Sequence, residues 1–247
     1  MSNLCIFLSP HPDDVAFSCT DHILKYRKTS EIVVITFFTK FSNQKIYSPD
    51  AMNYTKICGY ESLSSFEKAR IYEDRLAMTK LKIDYKHLKF VDGGFRSFGE
   101  KPIYPTFENL LSGNISPNDF QLIIKISRFI DLFIQRRIKL YDRISIFCPF
   151  GYGKHVDHLI VRKSLETIEV LNIDKVNIVY YIDHPYINKI GNLFNLSTLN
   201  TIINYKNNII FPSKIKINII KLYKSQFKII YKNIKLYPEI MLEKKYV

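Results

Sequence analysis

The stretch "LSPHPDDVAFSC", residues 8–19, crowds a histidine and two adjacent aspartates behind a short apolar run. Neighbouring carboxylates repel, and a divalent cation beside them would relieve that repulsion and account for the imidazole. His11 and Asp14 stand three residues apart across a Pro-led turn, so both can face one centre while Asp13 points elsewhere. A second cluster, "GYGKHVDHLIV", sets His155 and His158 at i, i+3 at the start of a helical stretch, on one face of it. These two clusters hold His11, His155 and His158, half of the six histidines. Either alone has a plain explanation: Asp-Asp after a strand suits a helix N-terminus, and HxDH suits a solvated first turn. Both following apolar runs that read as strands points instead to a shared centre. His11, Asp14 and His158 would form a two-His, one-carboxylate set with open positions, the pattern of a catalytic zinc site.

The elements that must position these clusters read as alternating strands and helices. Leu4–Leu8, Glu31–Phe38, Leu88–Val91, Ser145–Cys148 and Val176–Ile182 are short apolar runs of strand type. Between them, "SSFEKARIYEDRLAMTKL" opens on a Ser64…Glu67 capping-box pattern, with Phe66, Ala69, Tyr72 and Leu76 at helical spacing. Residues 119–137 form an amphipathic helix, residues 155–171 another, and Lys214–Lys235 a long closing helix. Residues 39–60 and 97–118, rich in Pro, Gly, Asn and Tyr, resist assignment, and loops that long are usually functional or mobile. The expected fold is α/β: a Rossmann-like three-layer sandwich, with a mostly parallel sheet and helices on both faces. With no repeat or linker, residues 1–247 are expected to form one domain. In such sheets ligands bind outside the carboxyl ends of the strands, where both clusters lie.

Composition narrows the partners. Hydrophobic residues are 47% and charged residues 24%, and no apolar run approaches the ~20 residues that cross a bilayer. The N-terminus lacks a basic segment before its apolar run, so a cytoplasmic protein is expected. Cys5, Cys19, Cys58 and Cys148 show no CxxC pairing and read as reduced, buried thiols, with Cys19 close enough to the first cluster to be considered for chemistry. The net charge of +13 is uneven: residues 187–247 hold 11 Lys and 2 Glu. No RNP-like, zinc-finger or helix-turn-helix pattern supports nucleic acid, and abundant Lys, Ile and Asn also suit an AT-rich genome. Lys221, Lys224, Lys228, Lys232 and Lys235 would stripe the closing helix, as a solvated face or as contact for an anionic substrate or membrane surface.

The chain resembles the PIG-L/LmbE-like family of zinc-dependent de-N-acetylases. The resemblance runs through "SPHPDDVAFSC", "TFFT", the R..ED..A pattern of "ARIYEDRLAMTKL", "FGYGKHVDH", "YYIDHPY" and "YKSQ". It implies that His11, Asp14 and His158 bind Zn2+ (or another divalent ion such as Fe2+), with Asp13 as general base. His155 would stabilise the oxyanion, most effectively if protonated, and would be held by Asp157. Arg70 and Asp92 would grip a sugar, although Arg70 could instead make an ordinary helix pair with Glu73 or Asp74. The implied reaction is hydrolysis of the acetyl amide of an N-acetylated amino sugar, free or carried on a glycan, lipid or natural product. A different amide, such as an N-acyl amino acid or thiol conjugate, is the alternative. A non-catalytic binding module would not need Asp13 beside a complete ligand set. Thr20, Asp21 and His22 replace the family's usual Gly-Gly pair, which implies altered packing or an altered pocket wall; "IDHPY" replaces a more acidic stretch.

Overall fold

Strand β1 (Asn3–Ser9) is buried from Leu4 to Ser9 on both of its faces, which requires a central place in a covered sheet. The structure, a computed structural model, describes residues 2–41, 45–169, 173–186, 205–230 and 237–244. After β1 come α1 (Asp14–Tyr26), β2 (Glu31–Thr36), α2 (Pro49–Ile57), α3 (Leu63–Leu81) and β3 (Asp84–His87). They are followed by β4 (Ser97–Phe98), β5 (Lys101–Pro102), α4 (Phe107–Leu110), α5 (Phe120–Gln135) and β6 (Arg143–Pro149). The remaining described elements are α6 (Val156–Glu166), β7 (Val176–Tyr181), β8 (Tyr205–Ile210), α7 (Lys214–Ile220), α8 (Lys224–Ile230) and β9 (Glu239–Lys244).

The main sheet runs β3-β2-β1-β6-β7-β9-β8. In it β3, β2, β1, β6 and β7 pair in parallel, and β9 joins β7 and β8 by antiparallel pairing. Alternate side chains of β1 feed two cores. Leu4, Ile6 and Leu8 pack with Ile126, Ile130, Ile160 and Val161 of α5 and α6. Cys5 and Phe7 pack with Phe17, Met78 and Ile219 of α1, α3 and α7. The result is the expected three-layer α/β sandwich. Its switch point, where the strand order turns from β1 toward β2 to β1 toward β6, lies between the two strands that carry the histidine clusters.

Several local expectations need correction. The third strand is Asp84–His87, not Leu88–Val91; that run makes isolated bridges from Lys89 to Phe38 and from Val91 to Lys40. Residues 39–60 contain α2, and residues 97–118 contain β4, β5 and α4. Helix α3 is capped by Ser62, while Glu67 accepts from the Phe41 N–H at 2.8 Å. Its inward face also differs: Tyr72 and Leu76 are 65% and 40% exposed, whereas Arg70, Glu73 and Asp74 are buried. The closing helix breaks at Lys221–Tyr223 into α7 and α8, so Lys221 and Lys224 do not stand on one continuous helix; Lys232 and Lys235 lie outside the described residues. Strands β8 and β9 were not expected from the sequence. No described helix is long and apolar enough to cross a membrane.

Candidate active site

The carboxyl ends of β1 and β6 are held side by side by their register, with Phe7 opposite Phe147 and the two rings stacked at 4.2 Å. "HPDD" therefore leaves the sheet next to the segment leading to "HVDH". Asp13 caps the start of α1 at φ 122°, a backbone conformation that non-glycine residues rarely adopt and that costs ~1–3 kcal/mol. The strain turns His11 and Asp14 toward one another. The Asp14 Oδ2 accepts the His11 N–H at 2.7 Å and lies 3.1 Å from His11 Nδ1 and 3.3 Å from His158 Nε2.

Each imidazole commits its other nitrogen to a buried aspartate. His11 Nε2 meets Asp157 Oδ2 at 3.0 Å, and His158 Nδ1 meets Asp183 Oδ1 at 2.6 Å. Backing partners of this kind fix the ring orientation and tautomer of metal-binding histidines. His11 Nδ1, Asp14 and His158 Nε2 then converge, and one donor atom from each lies within 4.8 Å of the others. Two imidazoles and one carboxylate suit Zn2+ and also Fe2+, with positions left for water and substrate. A second grouping, His11, His155 and Asp157, meets the same distance limit. A cation there would press against the Arg96 guanidinium, which lies 2.6 Å from Asp157 Oδ1.

The charges of the set shift one another's titration. Burial alone would raise the Asp14 carboxyl, but the neighbouring His158 and His11 hold it well below its usual range. Burial would likewise lower His11, yet hydrogen bonds to Asp14 and Asp157 lift it to about 9. Asp13 is pushed up to about 7, by burial first and then by Asp14, against the opposing charge of Arg70.

The structure places the other expected residues as follows. Arg70 reaches out of α3 to Asp13 Oδ1 at 3.1 Å and donates to the Pro12 carbonyl; it pairs with neither Glu73 nor Asp74. Asp92 lines, with His11, Asp13, Asp14 and Arg70, a cavity over the site, accepts from the Gly94 N–H and lies 3.3 Å from His11 Nε2. His155 caps α6 through Nδ1, which accepts the Asp157 backbone N–H at 3.2 Å. The Asp157 side chain turns away to His11, Gly93 and Arg96, so it holds His11 rather than His155. Burial and the charge of His11 push His155 well below the usual histidine range. Cys19 is fully buried, and burial holds its thiol well above its ordinary value, so it offers no reactive thiolate.

Two quoted motifs turn out to be partners. Glu73 accepts from Ser225 N–H and Oγ at 2.9 and 2.6 Å, and Asp74 accepts from Tyr223 Oη at 2.6 Å. "YKSQ" thus docks onto the R..ED face of α3, and Gln226 accepts a hydrogen bond from Tyr54 before reaching the cavity. The unusual Thr20, Asp21 and His22 do not line that cavity. Asp21 and His22 donate their backbone N–H groups to the buried Glu239, which also lies 2.8 Å from Lys216 Nζ. Asp183, Arg96 and Asp119 escaped the sequence reading. Only "YYIDHPY", which holds Asp183, carried a signal for any of them, and that signal was the family resemblance.

A family model described as GlcNAc-PI de-N-acetylase (PIG-L) matches residues 6–169, about two thirds of the chain. The chain belongs to the PIG-L family. Among curated proteins it is 24% identical over 161 residues to the 2'-N-acetylparomamine deacetylase of Streptomyces fradiae. That alignment takes in 65% of this chain and 50% of the relative, so the chain spans about half the length of the curated relative it matches. Among solved structures, the zinc-inhibited form of teicoplanin deacetylase Orf2 superposes with a TM-score of 0.72 at 18% identity, over 98% of this chain and 97% of that one. The N,N'-diacetylchitobiose deacetylase of Pyrococcus horikoshii, in complex with an inhibitor, gives 0.51 at 12% identity over 97% and 82%. At such identities these structures establish the fold that this PIG-L member shares with them.

The PIG-L site opens into a cavity of about 490 Å³. Away from the histidines and aspartates its walls are largely apolar, with Phe41, Phe66, Phe95, Phe107, Leu110 and Ile230 among them. Among the described residues Arg70 is the one guanidinium or ammonium lining it, and Asp13 already occupies that charge.

Proposed function

We propose that the protein is a zinc-dependent hydrolase that removes the acetyl group from an N-acetylated amino sugar bearing an apolar substituent, releasing amine and acetate. The observation that carries this reading is the convergence of His11, Asp14 and His158, with Asp13 next to the set but outside it. His11, Asp14 and His158 would hold the zinc, which would supply Lewis acidity to the amide carbonyl and the attacking water. Asp13 accepts the proton of that water and delivers it to the departing amine nitrogen. Arg70 occupies Asp13 Oδ1, which leaves Oδ2 without a partner among the described residues and available to the proton. Because His155 Nδ1 accepts a backbone N–H, its neutral ring carries hydrogen on Nε2, and that N–H donates to the oxyanion.

Asp92 is the candidate partner for a sugar hydroxyl, while the commitment of Arg70 to Asp13 makes it an orienting group. An N-acyl amino acid would bring a carboxylate into a cavity whose one cationic side chain among the described residues is already paired, which favours a neutral substrate. The apolar walls would leave many hydroxyls of a free sugar without partners, a burial cost that an alkyl or aryl substituent avoids. All four cysteines are unpaired, which supports work in the reducing cytoplasm.

The test is metal analysis of the purified protein, combined with acetate release from N-acetylglucosamine, its alkyl and aryl glycosides, and N-acetyl amino acids. The expected result is metal-dependent release, with kcat/KM rising by up to roughly fourfold per buried methylene, from ~0.8 kcal/mol each. A protein that binds no divalent metal and releases no acetate from any compound would sink the proposal. Preference for the unsubstituted sugar would sink its apolar part alone.

A further inference from the structure

The loop after β3 and the first turn of α6 meet at a buried guanidinium outside the donor set. Arg96 Nη2 lies 2.6 Å from Asp157 Oδ1 and 3.0 Å from Asp119 Oδ2, and Nη1 donates to the Val91 carbonyl at 3.0 Å. Its side chain is 8% exposed, and those of Asp157 and Asp119 are 0% and 2% exposed. Two buried carboxylates therefore share one cation, sandwiched between the rings of Phe38 and Tyr104 at 5.3 and 5.5 Å. Tyr104 completes the Asp119 end by donating to it at 2.8 Å and accepting from the Ser116 N–H at 2.9 Å. At the other end, Asp157 Oδ2 meets His11 Nε2 and accepts the Gly93 N–H at 2.9 Å.

Arg96 and Asp119 stand at the two ends of residues 97–118, the segment that gives Phe107, Leu110 and Leu111 to the cavity. At Gly93 a Cβ would fall 2.7 Å from Leu110 Cδ2 and 3.1 Å from Asp157 Oδ1. Leu110 of the cavity wall and Asp157, which holds His11, thus both close on Gly93, and a side chain there would have to displace one or the other.

We propose that Arg96 is a positioning residue for the metal centre: by bridging Asp157 and Asp119 it fixes the His11 ring and clips residues 97–118 over the substrate cavity. Metal site and cavity wall then depend on one guanidinium. Removing its charge would leave two buried carboxylates uncompensated, a costly state that reorganises both ends of the bridge. Asp119 serves the loop end alone, since Asp157 keeps Arg96 without it. The inference rests on the metal reading above, and the experiment separates the two.

The experiment measures zinc Kd by chelator competition, the visible spectrum of the cobalt-substituted protein, and KM, in wild type and in Arg96→Gln, Arg96→Lys and Asp119→Asn. Arg96→Gln is expected to weaken zinc by ~10–100-fold, the usual cost of losing support behind a ligand, and to shift the cobalt bands. Arg96→Lys keeps the charge but not the planar fork; a smaller loss with shifted bands is expected, and it decides the matter if the Gln variant does not fold. Asp119→Asn is expected to raise KM with zinc Kd near the wild-type value. Wild-type Kd and cobalt spectra in both Arg96 variants would overturn the inference while leaving the metal site standing. Zinc weakening in Asp119→Asn as large as in Arg96→Gln would overturn the separation of the two ends. A wild-type protein that binds no divalent ion would overturn the metal reading, and this inference with it.

Discussion

Asp13→Asn separates proton transfer from metal binding. The amide keeps the size of the carboxyl and can still accept from Arg70, but it can neither take nor release a proton at neutral pH. Losing general acid–base help is expected to lower kcat by ~10²–10⁴-fold, or about 2.7–5.4 kcal/mol of barrier at ~1.36 kcal/mol per decade. The fold should survive. The ion pair with Arg70 becomes a hydrogen bond from the charged guanidinium to a neutral amide oxygen, and a bond to a charged group is still worth ~1.5–3 kcal/mol. Arg70 is not orphaned, because it also donates to Pro12 and packs 5.8 and 5.7 Å from the rings of Phe41 and Phe66. A fall of a few degrees in Tm is the corresponding outcome, at ~2–4 °C per kcal/mol for a chain of this size. Zinc should remain bound, since His11, Asp14 and His158 are untouched. A base works deprotonated, so wild-type activity should rise with pH through the Asp13 value, which is about 7 without metal and lower beside a cation. The assay is kcat against pH for both proteins, loaded with zinc to equal stoichiometry. Turnover within ~10-fold of wild type, or an unchanged acid limb in the variant, would remove Asp13 as the base.

Two further predictions concern residues that the reaction never touches. Asp183→Asn weakens the bond behind His158 Nδ1 while leaving the Gly151 and Tyr152 N–H groups an oxygen to meet. It should cost ~10–100-fold in zinc affinity by chelator competition; an unchanged Kd would refute the supporting role. Glu239→Gln strips the counter-ion from Lys216, which is fully buried, and should destabilise the protein by ~3–5 kcal/mol in denaturant unfolding. Adding Lys216→Met should restore part of that loss. Burial would raise Glu239, but Lys216 and His22 hold it below its ordinary value, so its contribution is complete above an unfolded pKa of ~4.3. That contribution disappears as pH falls through the lower folded value, so wild type should lose its advantage over the Gln variant in acid.

What was legible in the sequence was local. The apolar run of β1 and the spacing within "HPDD" and "HVDH" each lie inside a dozen residues; "HPDD" supplies two of the three converging donors and "HVDH" the third. Helix α3 was readable as a helix but not by face. Arg70, Glu73 and Asp74 are charged yet point inward, because each has a buried partner supplied from far along the chain. Periodicity counts apolar residues, so it selected Tyr72 and Leu76, which face out. The break between α7 and α8 was hidden for a related reason. Ile and Lys recur at helical spacing across it, and what interrupts the helix is the reach of Tyr223 to Asp74 and of Ser225 to Glu73. Strand β8, "YKNNII", is too polar to signal a strand, and β9 takes its place by pairing with β7 and β8. Arg96, Asp119 and Asp183 belong to no spacing at all, since their partners are set by topology.

The same long-range partners bear on how much of the chain the site requires. The family match ends at residue 169, and every donor and Asp13 fall inside it. Yet His158 takes its orientation from Asp183, and α3 is anchored by Tyr223 and Ser225, all beyond that limit. Arg70 projects from α3 to Asp13, so a shift of that helix would move the base's counter-ion directly. The C-terminal segment is fastened in turn by Glu239, whose carboxylate meets two backbone N–H groups, His22 and Lys216 inside the core. Asp21 and His22, where the resemblance implied a Gly-Gly pair, thus make the contacts that secure this segment to α1. Substitutions there should act on stability and on the setting of Arg70 before they act on substrate choice.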